Sequence, residues 1–158
     1  MGQYSKALEF YQQALAIMRE VGDRAGEGTT LNNMGLVYAH LGEYTKALEF
    51  YQQALAIRRE LGDRPSEWIT LNNIGLVYEH LSQYPRALEF YQQALAIARE
   101  VGNRAGEGTT LNNIGAVYDH LGQYSKALEF YQQALAIRRE VHDRPGEGTS
   151  HPTFLTRP

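Results

Sequence analysis

The chain has no cysteine, few prolines, one tryptophan and no strong excess of charge of either sign. Without cysteine there can be no disulfide, thiol catalysis or cysteine-based zinc site. Lys and Arg number 15 against 18 Asp and Glu, a net charge of −3 with no block of one sign. That spread lacks the basic stripe that follows a phosphate backbone, so nucleic acid is not an expected partner. No apolar run approaches the roughly 20 residues needed to cross a bilayer, and Met1–Lys6 carries no apolar signal core. A soluble, cytoplasmic protein without membrane partners is expected.

What fills the 158 residues is repetition. Ala-Leu-Glu-Phe-Tyr-Gln-Gln-Ala-Leu-Ala-Ile recurs unchanged at 7–17, 47–57, 87–97 and 127–137. A second block, Thr-Leu-Asn-Asn-(Met/Ile)-Gly-(Leu/Ala)-Val-Tyr, stands between the copies at 30–38, 70–78 and 110–118. A fixed period of this size marks a solenoid, in which each unit buries its apolar face only against its neighbours.

The spacing inside each unit is helical. Leu31, Met34, Gly35, Tyr38 and Leu41 fall on one side at steps of three and four. In the following block Ala47, Tyr51, Ala54 and Leu55 form a stripe that Phe50, Ile57 and Leu61 widen. An apolar arc that broad belongs to a helix packed on two sides. Gly22, Gly42, Gly62, Gly102 and Gly122 sit where a left-handed residue ends a helix. Asp23, Asp63 and Asn103 are placed to cap the next one, and Pro65, Pro85 and Pro145 fall in first turns. The pattern predicts helices at about 5–21, 24–41, 44–61, 64–81, 84–101, 104–121 and 124–141. With A for the helix carrying the Asn pair and B for the helix carrying the Gln pair, the order is B-A-B-A-B-A-B. The fold class is all-α, an antiparallel helix-pair solenoid. Residues 1–148 are read as a single solenoid: a half repeat at 2–23 and full repeats at 24–63, 64–103 and 104–143. Residues 149–158 are read as an irregular tail, because Pro152 interrupts the copy that starts at Pro145.

These positions resemble the signature of tetratricopeptide repeat proteins. The first full repeat carries it as Leu31, Met34, Gly35, Tyr38, Ala47, Tyr51 and Ala54. Leu71, Ile74, Gly75, Tyr78, Ala87, Tyr91 and Ala94 repeat it, as do Leu111, Ile114, Gly115, Tyr118, Ala127, Tyr131 and Ala134. The 40-residue period, longer than the common 34, resembles the subtype found in kinesin light chains and Pins-like adaptors. Arg59, Arg99 and Arg139 stand where the family often ends helix B with proline.

The resemblance implies a right-handed superhelix whose A helices line a concave, peptide-binding face. On that face it places Thr29, Asn33, Leu36 and His40, then Ile69, Asn73, Leu76 and His80, then Thr109, Asn113, Ala116 and His120. Asn33, Asn73 and Asn113 occupy the family's backbone-gripping position, where a short amide both donates and accepts. Asn32, Asn72 and Asn112 are expected to be solvated. Thr29, Ile69 and Thr109 replace the cations that a carboxylate clamp would need. His40, His80 and His120 recur one per repeat, too far apart to share a metal, and read as a polar rim.

Gly35, Gly75 and Gly115 are expected where the Tyr51 level of helix B approaches closely. Tyr44, Tyr84 and Tyr124 are expected at the A–B turns. Trp68, in place of Gly28 and Gly108, reads either as an exposed anchor or as a ring folded onto Arg64. Glu49, Glu60, Asp63 and Glu67 read as surface ion pairs of small worth. No locally unique constellation suits catalysis, and no metal or cofactor is called for. The expectation is a non-catalytic scaffold that binds an extended or helical protein segment. The alternative is a self-assembling or designed array, or a fragment of a larger regulator, associating as a homo-oligomer through terminal helices or through a tail carrying Phe154 and Leu155.

Overall fold

The computed structural model describes residues 2–143. The expected tail at 149–158 and the interrupted copy from Pro145 lie outside the described residues. Seven helices follow one another: α1 (Gly2–Val21), α2 (Arg24–His40), α3 (Tyr44–Glu60), α4 (Arg64–His80), α5 (Tyr84–Glu100), α6 (Arg104–His120) and α7 (Tyr124–Asp143). The described residues contain no strand. The even-numbered helices are the A type and the odd-numbered ones the B type, and together they form a helical solenoid.

Capping chemistry sets the boundaries. The side chains of Asp23, Asp63 and Asn103 accept hydrogen bonds from the backbone N–H of Gly26, Ser66 and Gly106, satisfying amides that have no partner inside the helix. At the other end of α2, the N–H of Glu43 reaches back to the carbonyl of Tyr38 (2.9 Å) and that of Gly42 to Ala39 (3.0 Å). This paired closure requires a left-handed residue, and Gly42 supplies it at φ +75°. Ser82 holds the corresponding place after α4 at φ +57°, with the same two closing bonds. Its strain costs roughly 1 kcal/mol, which a glycine would not incur. The resulting links of two or three residues make consecutive helices antiparallel.

Each A helix packs most closely on the B helix that follows it. The reason lies in Gly35, Gly75 and Gly115. A Cβ at Gly75 would stand 2.6 Å from Tyr91 Cε1, and one at Gly35 2.6 Å from Tyr51 Cδ1. Tyr51 and Tyr91 are fully buried beneath these glycines. Tyr51's desolvated phenol is pushed up to about 12. Around this contact, Leu71, Ile74, Val77, Ala87 and Ala94 from α4 and α5 form the centre of the core. Phe50, Phe90 and Phe130 stack on Tyr38, Tyr78 and Tyr118 at 5.3–5.5 Å between centroids. Lys46, Arg86 and Lys126 lie over the same tyrosine rings.

Among the described residues, α1 and α7 each pack against a single neighbouring helix. Phe10 and Ile17 on α1 are 68% and 59% exposed, whereas Ile57, Ile97 and Ile137 are buried. On α7, Leu135 is 44% exposed where Leu55 and Leu95 are buried.

Gly75→Ala is expected to destabilise the chain by about 1–3 kcal/mol, because the overpacking of Tyr91 exceeds the roughly 1 kcal/mol gain in helix propensity. Urea denaturation followed by circular dichroism checks this. An unchanged or raised midpoint would contradict the close-approach reading.

Candidate functional site

Residue 29 and its repeat equivalents turn away from the tyrosine–glycine seam. Leu36, Ile69 and Leu76 are 40%, 42% and 45% exposed, and Thr29, Thr109, His40, His80 and His120 are exposed with them. Asn33, Asn73 and Asn113 are half-buried. Between α2 and α4, Leu36, His40, Asn73, Leu76 and His80 line one cleft of about 80 Å³ floored by Tyr51 and Val77. Thr29, Asn33, Thr109, Asn113 and His120 do not line that cleft.

The asparagines differ from the expectation in one respect. Asn32 and Asn72 are not solvated. Asn32 is buried and accepts from the Thr70 hydroxyl (3.0 Å) and from Asn73 Nδ2 (3.4 Å). Asn72 accepts in the same way from Thr110 (3.3 Å) and Asn113 (3.4 Å). An amide facing the next A helix is desolvated there and must find a partner. Asn112, which has no such described neighbour, is exposed. Asn73 and Asn113 therefore hold a joint with their amino groups, leaving the carbonyl side of each amide for other contacts.

The histidines are ring partners. His80 stacks on Tyr44 (5.7 Å, 7°) and His120 on Tyr84 (5.6 Å, 12°), while His40 tilts against Tyr4. Tyr44 and Tyr84 thus contact the next repeat, a link beyond the expected A–B turn, whereas Tyr124 is 64% exposed. His120 Nε2 also lies 3.4 Å from Glu79 Oε1, and Tyr91 donates to the other oxygen of Glu79 at 2.8 Å. Among the described residues no group of three or more His, Asp or Glu is placed to hold a metal.

The largest departure concerns the acids. Glu27, Glu67 and Glu107 are buried and are not surface pairs. Arg59 at the end of α3 donates to Glu67 Oε1 and Arg64 to Glu67 Oε2, both at 2.9 Å; Arg64 continues to Glu100 at the end of α5. Arg19–Glu27–Arg24–Glu60 and Arg99–Glu107–Arg104–Glu140 repeat the arrangement. Each set ties a B helix, the next A helix and the next B helix together. Arg59 and Arg99, noticed in the sequence only as proline replacements, are the signal that could have found it. Trp68 also differs from both of its readings, since its Nε1 donates to Thr110 on the next A helix at 3.0 Å. One repeat earlier Arg58 serves the corresponding Thr70 (2.6 Å), and before that Met18 Sδ accepts from Thr30 (3.2 Å). Ala98, at the Arg58 position, leaves the room in which Trp68 substitutes for an arginine.

A tetratricopeptide repeat family model matches residues 1–60 and 69–140. The chain belongs to the tetratricopeptide repeat family. Such repeats generally mediate protein–protein interaction, and the family is typically non-catalytic. No curated protein sequence matches the chain. Among solved structures it is similar to BtubC (BKLC) from P. vanneervenii, with 27% identity and a TM-score of 0.82 over 99% of this chain and 65% of that one. A Podosopora anserina putative kinesin light chain with nearly identical TPR-like repeats has 21% identity and a TM-score of 0.71, covering 90% of this chain and 71% of that one. A Rap protein complexed with Competence and Sporulation Factor has 22% identity and a TM-score of 0.81, covering 89% of this chain and 40% of that one. The tetratricopeptide array here thus spans about two thirds of BtubC and under half of the Rap protein. No helix among the described residues is long and apolar enough to cross a membrane.

The joints built on Glu27 and Glu107 carry a pH dependence. Hydrogen bonding from Arg19, against burial and with help from Arg24, holds the Glu27 carboxyl below its ordinary value of 4.5. Burial pushes Glu107 up, but the bonds from Arg99 and Arg104 outweigh it and the net direction is again downward from 4.5. A depressed carboxylate stabilises the fold above its unfolded value and loses that contribution as pH falls through the folded one. Melting temperature should therefore hold near neutrality and drop as pH falls below about 4.5. Glu107→Gln should cost about 2 kcal/mol at neutral pH and flatten the acid decline. Thermal melts of both proteins across that range check it, and parallel acid limbs would contradict it.

Proposed function

We propose that the chain is a non-catalytic, cytoplasmic scaffold whose concave A-helix face binds an extended or helical segment of a protein partner. The observation that carries this reading is the cleft between α2 and α4, in which Leu36, His40, Asn73, Leu76 and His80 converge. Exposed leucines beside a half-buried amide suit a segment that inserts an apolar side chain while its backbone meets Asn73. The array's charged clusters are consumed in its own joints, so recognition on this face rests on shape and hydrogen bonding. Thr29, Thr109, Asn33, Asn113 and His120 extend the same row along α2 and α6. The Rap protein, similar in fold and complexed with a factor, supports partner binding by such an array.

Peptides selected from a random display library on the immobilised chain should lose about ten-fold in affinity on Asn73→Ala, the worth of one hydrogen bond, with helicity unchanged. Selected peptides that are all indifferent to Asn73→Ala would remove the groove reading.

A second reading, association between copies, is favoured by the exposed Phe10, Ile17 and Val21 on one side of α1. Light scattering over a concentration series should then give a dimer that Phe10→Ala dissociates. A constant monomer mass would exclude it.

A further inference from the structure

Repeat symmetry makes the cleft between α2 and α4 the counterpart of a place that is filled one repeat further on. On α4, Glu79 stands between two rings. Tyr91 on α5 donates to its Oε2 at 2.8 Å, and His120 Nε2 on α6 lies 3.4 Å from its Oε1. With those two partners the carboxylate is tolerated at 14% side-chain exposure. Forty residues earlier the same places hold Ala39, Tyr51 and His80, and all three line the cleft of about 80 Å³. The rings are set alike at both levels. His80 stacks on Tyr44 at 5.7 Å as His120 does on Tyr84 at 5.6 Å, and Tyr51 lies beneath Gly35 as closely as Tyr91 beneath Gly75. What differs is the side chain between them. Ala39 ends at its methyl, so the Tyr51 hydroxyl meets no hydrogen-bond partner among the described residues, although Tyr51 is only 1% exposed. Burial pushes that phenol up to about 12, so it keeps its proton for donation. No Asp or Glu lines the cleft to repel an anion.

We propose that the α2–α4 cleft accepts a carboxylate side chain of the bound segment, a glutamate or aspartate, in the place that Glu79 fills one repeat later. The proposal rests on the groove reading above and names the chemistry of one contact within it. Tyr51 donates to one oxygen and His80 meets the other, with Leu36 and Leu76 beside the side chain's methylenes. The grip uses a hydroxyl and an imidazole, so it needs no cation at Thr29, Ile69 or Thr109. It is confined to this repeat, because the next cleft holds its own Glu79 and Asp119 occupies the equivalent place on α6. One acidic residue in a partner thus fixes where along the array its segment sits.

The probes are peptides selected from a random display library on the immobilised 158-residue chain and resynthesised with amidated C-termini. They should share one acidic residue. Replacing it with its amide counterpart should weaken binding about ten-fold on the parent chain and not on Tyr51→Phe. Tyr51→Phe should leave the melting temperature unchanged, since the hydroxyl it removes has no partner within the described fold. Ala39→Glu, which supplies the carboxylate internally as Glu79 does, should weaken the acidic peptides about ten-fold or more with helicity intact. Peptides that depend on Asn73 but share no acid, or whose acid is indifferent to Tyr51→Phe, overturn the proposal and leave the groove reading standing. Peptides indifferent to Asn73→Ala, Tyr51→Phe and Ala39→Glu alike remove both. Binding shown only by peptides with a free C-terminus would make the terminal carboxylate the occupant and overturns the side-chain assignment.

Discussion

Each joint between repeats turns on one buried carboxylate. Glu67 has lost its water, and that loss is tolerable only because Arg59 from the previous repeat and Arg64 from its own supply donors to both oxygens. The requirement is geometric as much as energetic. Arg59 must end its B helix at the level where α4 begins, which fixes how far one repeat is displaced along the next. The B helix has to be long enough to reach that level, which accounts for an extended helix closing on Met-Arg-Glu, Arg-Arg-Glu or Ala-Arg-Glu. The A–B seam of Gly75 against Tyr91 then fixes spacing within the repeat. Joint and seam together determine where every exposed side chain of the A helices falls.

The fold was legible in the sequence because its determinants are local and repeated. Glycines at φ near +75°, Asx caps and a small residue facing a tyrosine act over a few positions, and their recurrence removes ambiguity. The joints were far less legible. Glu67 lies close to Arg64 in sequence, and a pair at that spacing looks like any solvated helix surface. Its burial depends on α3 and α5, which no local pattern announces. Asn32 posed the same difficulty: an amide beside a core leucine reads as surface until another A helix is laid against it. Tyr44 was placed at the correct turn, but its partner His80 comes from the following repeat.

Near-identity of the units makes their exceptions informative. Thr30, Thr70 and Thr110 are the same residue in the same place, yet a thioether, a guanidinium and an indole attend them in turn. Neutral and charged partners serve alike because the threonine hydroxyl can donate or accept. The exposed row of the A helices changes along its length as well: Ile69 interrupts the threonines and Ala116 the leucines, so the surface differs at each repeat. Symmetric packing thus coexists with an asymmetric face.

Trp68 gives this array something that repetitive proteins usually lack, an internal address. It is the sole tryptophan among 158 residues, and its indole spans from α4 to α6. Emission excited at the indole band therefore reports on that single joint, whereas far-ultraviolet signals sum over all the helices. In a molecule whose units touch only their neighbours, the two signals need not move together. Their separation on heating or acidification would distinguish an array that opens from its ends from one that parts in the middle.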